Sequence, residues 1–225
     1  QKLILQTQGL KYRAVTDQPL FYLAGVCMWQ YFADCLNNTS NTFVTNSDIF
    51  GKVYFPRLIM PVSNVISNLL RFSIQFGLFI IVYVIYAFTG CAASPNWYAL
   101  LFPLLIVMMA GLALGFGILI SSMTTKYRDL QILFTFVVQL WMYATPIVYP
   151  LSEVQGKVKM GIDLHTLMSL NPVTPVIETF KYGFLGAGDF IGWGWMAYSF
   201  VCTLILLAFG VVVFNKVQKS FMDTV

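Results

Sequence analysis

The chain has 225 residues, of which 13 are Lys or Arg and 9 are Asp or Glu, while 58% are hydrophobic and the mean hydropathy is +0.75. A soluble domain carries roughly a quarter of its residues as charges, so this composition excludes a soluble enzyme and a disordered chain. The net charge of +4 is scattered without a basic patch, which excludes nucleic acid as a partner.

What remains is an all-α integral membrane protein, a polytopic helical bundle whose spans are marked by missing charges. Residues 1–19 are expected to be an extracytoplasmic segment and residues 20–225 the transmembrane domain. The first span is placed near residues 20–45. Its uncharged stretch, residues 18–33, is shorter than the ~20 residues that cross a bilayer core, so it must continue past Asp34 into the polar run Asn37–Asn46 or span poorly. The glycosylation sequons at Asn37 and Asn38 fall in a helix directed toward the cytoplasm, where no glycan is expected. Next comes "NSDIFGKVYFPRLIMP", Asn46–Pro61. It turns from polar to basic-aromatic to apolar, and Pro56 forbids a continuous helix through it. A short cytoplasmic interfacial element or a plain basic loop fits it.

Between Arg71 and Lys126 no residue is charged. That gap holds two spans, near residues 61–88 and 97–123, separated by the turn formers of Gly90–Asn96. Arg71 then lies about 15 Å along its helix from Pro61. It either faces a cavity or partner, or snorkels from a partly interfacial segment. Gly111 and Gly115 form a GxxxG pair suited to close helix packing, within the subunit or across a dimer. The connection "SSMTTKYRDLQ", Ser121–Gln131, leads to a span near residues 130–150 that ends in two prolines. In the segment from Thr145 to Trp193, Glu178 and Lys181 make a span untenable. Val173, Val176, Ile177 and Phe180 nevertheless recur at helical spacing. Short amphipathic helices dipping into the outer interface, or lying on it, are predicted there. The last span is placed near residues 193–214. Aromatic pairs at Trp29/Tyr31, Trp97/Tyr98, Trp141/Tyr143 and Trp193/Trp195 fall where these windows should meet headgroups.

Basic residues in short loops orient the bundle. With the loops of Lys52–Arg57 and Lys126–Arg128 inside, the tail with Lys216 and Lys219 is inside too. Five spans then begin outside, so an upstream span is expected before Gln1. No phosphate loop or dinucleotide fingerprint is present in the sequence, so no nucleotide site is expected on this chain. Cys27, Cys35, Cys91 and Cys202 lack metal-ligand spacing, and His165 has no second His or Cys near it, so no metal and no catalytic residue is predicted.

The strings "NSDIFGKVYFPRLIMPVS", "KYRDLQ", "LWMYATPIVYP" and "LNPVTPVIETFKYGFLG", in this order, resemble the permease subunits of ABC exporters for O-antigen and other cell-surface polysaccharides, including teichoic acid. The resemblance covers about Phe21 to Val225. It implies a six-span permease half, five spans of which are here, acting as a homodimer in the bacterial cytoplasmic (inner) membrane. ATP and Mg would be bound by a separate ATPase subunit and no cofactor by this chain. The cargo would be a lipid-linked polysaccharide, as in lipopolysaccharide biosynthesis, and the other contact membrane lipid. Lys52, Tyr54, Phe55, Arg57, Tyr127, Arg128 and Asp129 become candidates for coupling to the ATPase. Trp29, Tyr31, Arg71, Trp141, Tyr143 and Tyr149 become candidates for the substrate path, the aromatic ones offering faces on which pyranose C–H groups stack. Family members often carry a charge near the position of Arg71, commonly an acidic one, so the arginine departs from that pattern. The alternatives are a drug or lipid efflux permease and a membrane-embedded glycan transferase.

Overall fold

Backbone polar groups removed from water must bond within their own segment, and the uncharged windows accordingly fold as helices. The computed structural model describes residues 18–42, 58–88, 95–124, 129–149, 151, 158–159, 162–186 and 190–222, with the side chains of residues 18, 158–159, 162–163 and 217–222 excepted. Its helices are α1 (Gln18–Ser40), α2 (Ile59–Phe88), α3 (Phe102–Thr124, entered through a 3-10 turn at Trp97–Leu101), α4 (Leu130–Ala144), α5 (Leu164–Ser169), α6 (Val173–Leu185) and α7 (Trp193–Met222). Two short strands, β1 (Val158–Lys159) and β2 (Ile162–Asp163), pair antiparallel ahead of α5.

Among the described residues, three stretches are long and apolar enough to cross a membrane: Ile59–Phe88, Trp97–Thr124 and Trp193–Lys216. They match the spans expected near residues 61–88, 97–123 and 193–214 to within a few residues. The span expected near 130–150 is shorter as a helix, ending at Ala144. Pro146 pushes Thr145 out of the helical region, to φ −104° and ψ 135°, and the chain leaves the bundle axis there. The span expected near 20–45 is an unbroken helix through Asp34 as far as Ser40.

That weakest span by hydropathy is more enclosed than α2, α3 or α7. Leu20, Ala24, Cys27, Met28, Tyr31, Phe32, Cys35 and Leu36 recur every three or four residues and are all buried. Helix α3 runs parallel to α1 and meets it so closely that a Cβ on Gly117 would lie 2.6 Å from Thr39 Cβ. Its other side packs on α7. The polar end of α1 is held by partners on two helices. Asn38 Nδ2 donates to Asn68 Oδ1 at 3.0 Å, Asn64 Nδ2 to Thr42 Oγ1 at 3.1 Å, and Thr124 Oγ1 to the Ser40 carbonyl at 3.2 Å. These bonds let the run after Asn37 remain helical away from water.

Candidate functional site

At the opposite end of the bundle α6 is inserted among the other helices. All its residues except Tyr182 and Phe184 are buried. The helix expected in this segment is present and packs against its neighbours within the bundle. Its entry is built by "LNP": the Val173 amide donates to Asn171 Oδ1 at 3.2 Å, and Asn171 Nδ2 donates to Thr145 Oγ1 at 2.9 Å. Two carbonyls at this entry are met by α7, with Ser199 Oγ donating to the Pro172 carbonyl at 2.6 Å and Tyr198 Oη to the Leu170 carbonyl at 2.9 Å. The helix stops at Gly186, whose φ of 61° is the left-handed conformation that a residue without a Cβ adopts freely. Its last turn clasps the start of α3, the Asn96 amide donating to the Gly183 carbonyl at 2.8 Å.

The two charges of α6 lie inside. Lys181 Nζ bonds Glu178 Oε1 at 2.9 Å, and both side chains are fully buried. The ammonium also donates to the Pro146 carbonyl and sits 4.2 Å from the centre of the Phe21 ring. Three partners, a carboxylate, a carbonyl and an aromatic face, therefore surround a group with three N–H donors. They come from α6, from the break after α4 and from α1, so this cation ties three elements together. Where the chain passes, space is tight: a Cβ on Gly25 of α1 would lie 2.7 Å from the Ile147 carbonyl oxygen. Sequence reasoning used Glu178 and Lys181 only to reject a span. Their spacing of three on one helix was the signal for an internal pair.

Aromatic rings from several helices meet in the bundle. Phe76 and Phe79 of α2, Phe102 of α3, and Phe180 and Phe184 of α6 interlock at centroid distances of 4.5 to 6.3 Å. Nearer the middle of α1, Trp29 and Phe32 meet Trp141 of α4 edge-on at 6.3 and 5.4 Å, and Phe116 of α3 meets the same indole at 5.1 Å. Of the path candidates, Trp29 and Trp141 are thus brought together, and Tyr31 stacks obliquely on Phe72 at 5.0 Å. Trp29 and Tyr31 are buried, with 3% and 2% of their surface exposed, whereas Tyr143 is 78% exposed. Tyr149 is on the loop after α4, its hydroxyl 3.5 Å from Met168 Sδ.

Arg71 stands apart. It is exposed on α2, on a side where Ile66, Leu70, Ile74, Leu78 and Ile81 are exposed as well. No hydrogen bond or ion pair joins it to any described residue. The glycine pair belongs to the subunit's own packing: a Cβ on Gly111 would lie 2.6 Å from Thr203 Cγ2, and one on Gly115 would lie 3.0 Å from the Leu206 carbonyl carbon of α7. Of the coupling candidates only Asp129, exposed at the start of α4, is described. Lys52, Tyr54, Phe55, Arg57, Tyr127 and Arg128 lie outside the described residues.

A bundle of long apolar helices, joined on one side by an inserted half-length helix, defines a multi-pass membrane protein. The family described as "ABC-2 type transporter" matches residues 5–185, and this chain belongs to it. The O-antigen export system permease protein RfbA of Myxococcus xanthus is 25% identical over 167 residues, 74% of this chain and 61% of that protein. A protein of the same name from Klebsiella pneumoniae is 24% identical over 222 residues, 99% of this chain and 79% of the relative. The chain thus spans about three fifths of the Myxococcus relative's length.

Proposed function

We propose that this chain is the transmembrane permease subunit of an ATP-driven exporter that moves a lipid-linked polysaccharide across the bacterial inner membrane. The observation that carries this reading is the similarity to O-antigen export permeases along nearly the whole chain. Two copies form the path, and an ATP-binding subunit docks on the inner loops. ATP-driven motion enters mechanically there, through the segments of Lys52–Arg57 and Tyr127–Asp129.

Two arms test this. The full-length protein should copurify with an ATPase subunit, and replacing Arg128 and Asp129 by alanine should leave ATP hydrolysis while abolishing export. Deleting the gene should remove surface polysaccharide. Intact polysaccharide with altered drug sensitivity would instead assign the machinery to efflux.

A further inference from the structure

Helix α2 has 30 residues and is about 45 Å long at 1.5 Å per residue. A bilayer core needs about 20 residues. Counted back from Phe88, that length reaches Leu69, so the first turns of α2 project into the headgroup layer. Arg71 sits at that boundary, with the preceding turns carrying Ser63 and Ser67 at spacings of four. All three are exposed on one side of the helix. Helical side chains lean toward the N-terminus, which directs Arg71 toward Ser67 and away from the hydrocarbon. Beside these residues runs a groove of about 350 Å³, lined among the described residues by Leu58, Ile59, Val62, Ser63, Ile66 and Ser67.

The contrast with Asn64 and Asn68 on the same turns gives this arrangement its meaning. Those two side chains face α1 and are bonded to it. Ser63, Ser67 and Arg71 face outward, and no acid occurs anywhere in α2. A cation and two hydroxyls at headgroup depth, above the exposed ridge of Ile74, Leu78 and Ile81, complement an amphiphile with an anionic head and an apolar chain.

We infer that Ser63, Ser67 and Arg71 bind the phosphate-bearing head of the lipid carrier. Its chain lies along the Ile74–Ile81 ridge, and the groove receives the groups attached beyond the phosphate. Arg71 supplies paired N–H donors to phosphate oxygens, and the serines supply hydroxyl donors. The groove exceeds what a phosphate fills, so it has room for a substituent beyond the phosphate. The inference rests on the export reading for the identity of the carrier, but its residues and chemistry are separable from that reading.

The test uses the full-length protein in neutral phosphatidylcholine nanodiscs, titrated with polyisoprenyl phosphate and followed by native mass spectrometry. Wild type should bind it at least ten-fold more tightly than the uncharged polyisoprenol. Arg71→Gln should lose about ten-fold, Arg71→Lys less, and Ile66→Trp, which fills the groove, should weaken a sugar-bearing carrier more than the bare phosphate. Equal competition by phosphatidylglycerol would overturn the carrier assignment in favour of general anionic lipid. Unchanged binding by Arg71→Gln would overturn the site. Efficient crosslinking of two copies through Ile74→Cys would also overturn it, by making this face a protein interface. ATPase copurification and the deletion phenotype do not depend on Arg71. Wild-type export by Arg71→Gln in a strain where deletion abolishes export would therefore sink this site and leave the permease reading standing.

Discussion

Helix α6 and helix α2 each carry a cation among apolar residues, and the molecule treats the two in opposite ways. Lys181 is enclosed by Glu178, the Pro146 carbonyl and Phe21. Arg71 is exposed on the outside of a helix in which five of thirty residues are buried. A buried charge with every donor answered within the subunit serves architecture, because its removal strands its partner. A charge left on the surface at a membrane boundary contributes little to the fold and is available to a ligand. The difference separates the end of the bundle around α6, where the cation is answered within the subunit, from the α2 face, where it is not.

The strongest way to break that contrast is Lys181→Met. It leaves the Glu178 carboxylate without its cation, and losing one partner of a buried pair costs about 3–5 kcal/mol. Thermal unfolding in nanodiscs should show a large drop. Adding Glu178→Gln should recover much of it, since the second change removes the stranded charge. A double variant no more stable than the single one would mean that the ammonium acts through Pro146 and Phe21 rather than through the carboxylate.

A smaller effect is expected at the α3–α7 contact. Gly115→Leu places a side chain where a Cβ alone already meets the Leu206 backbone at 3.0–3.2 Å, and overpacking of this kind costs about 1–3 kcal/mol. The control sits on α2, where a Cβ on Gly77 meets nothing within 4 Å. Gly77→Ala should be neutral or stabilising by about 0.5–1 kcal/mol, through helix propensity. Equal losses at the two glycines would erase the distinction between an enclosed α3 and an open α2.

Asn38→Ala tests how α1 keeps its polar end inside. It removes the 3.0 Å, part-buried bond to Asn68, and a typical intramolecular hydrogen bond is worth about 1 kcal/mol. The same unfolding assay reads it.

These residues also show what was legible in the sequence. Charge gaps placed the apolar stretches Ile59–Phe88, Trp97–Thr124 and Trp193–Lys216 to within a few residues because a charge in hydrocarbon is excluded locally, residue by residue. The enclosure of α1 was not legible, because it depends on Asn64, Asn68 and Thr124 arriving from other helices to satisfy its polar end. Gly111 and Gly115 announced a close packing contact, but their partner, α7, begins some eighty residues later and only the fold chooses it. For α6 the apolar spacing was visible and the depth was not. Depth followed from Glu178 and Lys181 neutralising each other, a property of the pair that a count of charges misses. Phe76, Phe102 and Phe180 form one cluster from three helices, with no pattern along the chain to reveal it.

The smallest expected effect is the most discriminating for the comparison. Arg71 bonds to no described residue, and its neighbours along the outer side of α2 are exposed. Arg71→Gln therefore removes no internal contact, and a surface substitution of this kind changes stability by no more than about 0.5 kcal/mol. The prediction is an unchanged unfolding temperature alongside Lys181→Met, whose loss should be several-fold larger in the same assay. A marked destabilisation by Arg71→Gln would show that the arginine is held within the protein, and the two cations would then serve one structural purpose. An unchanged fold with impaired export would leave Arg71 free of structural duty, as a charge spent on something outside the subunit.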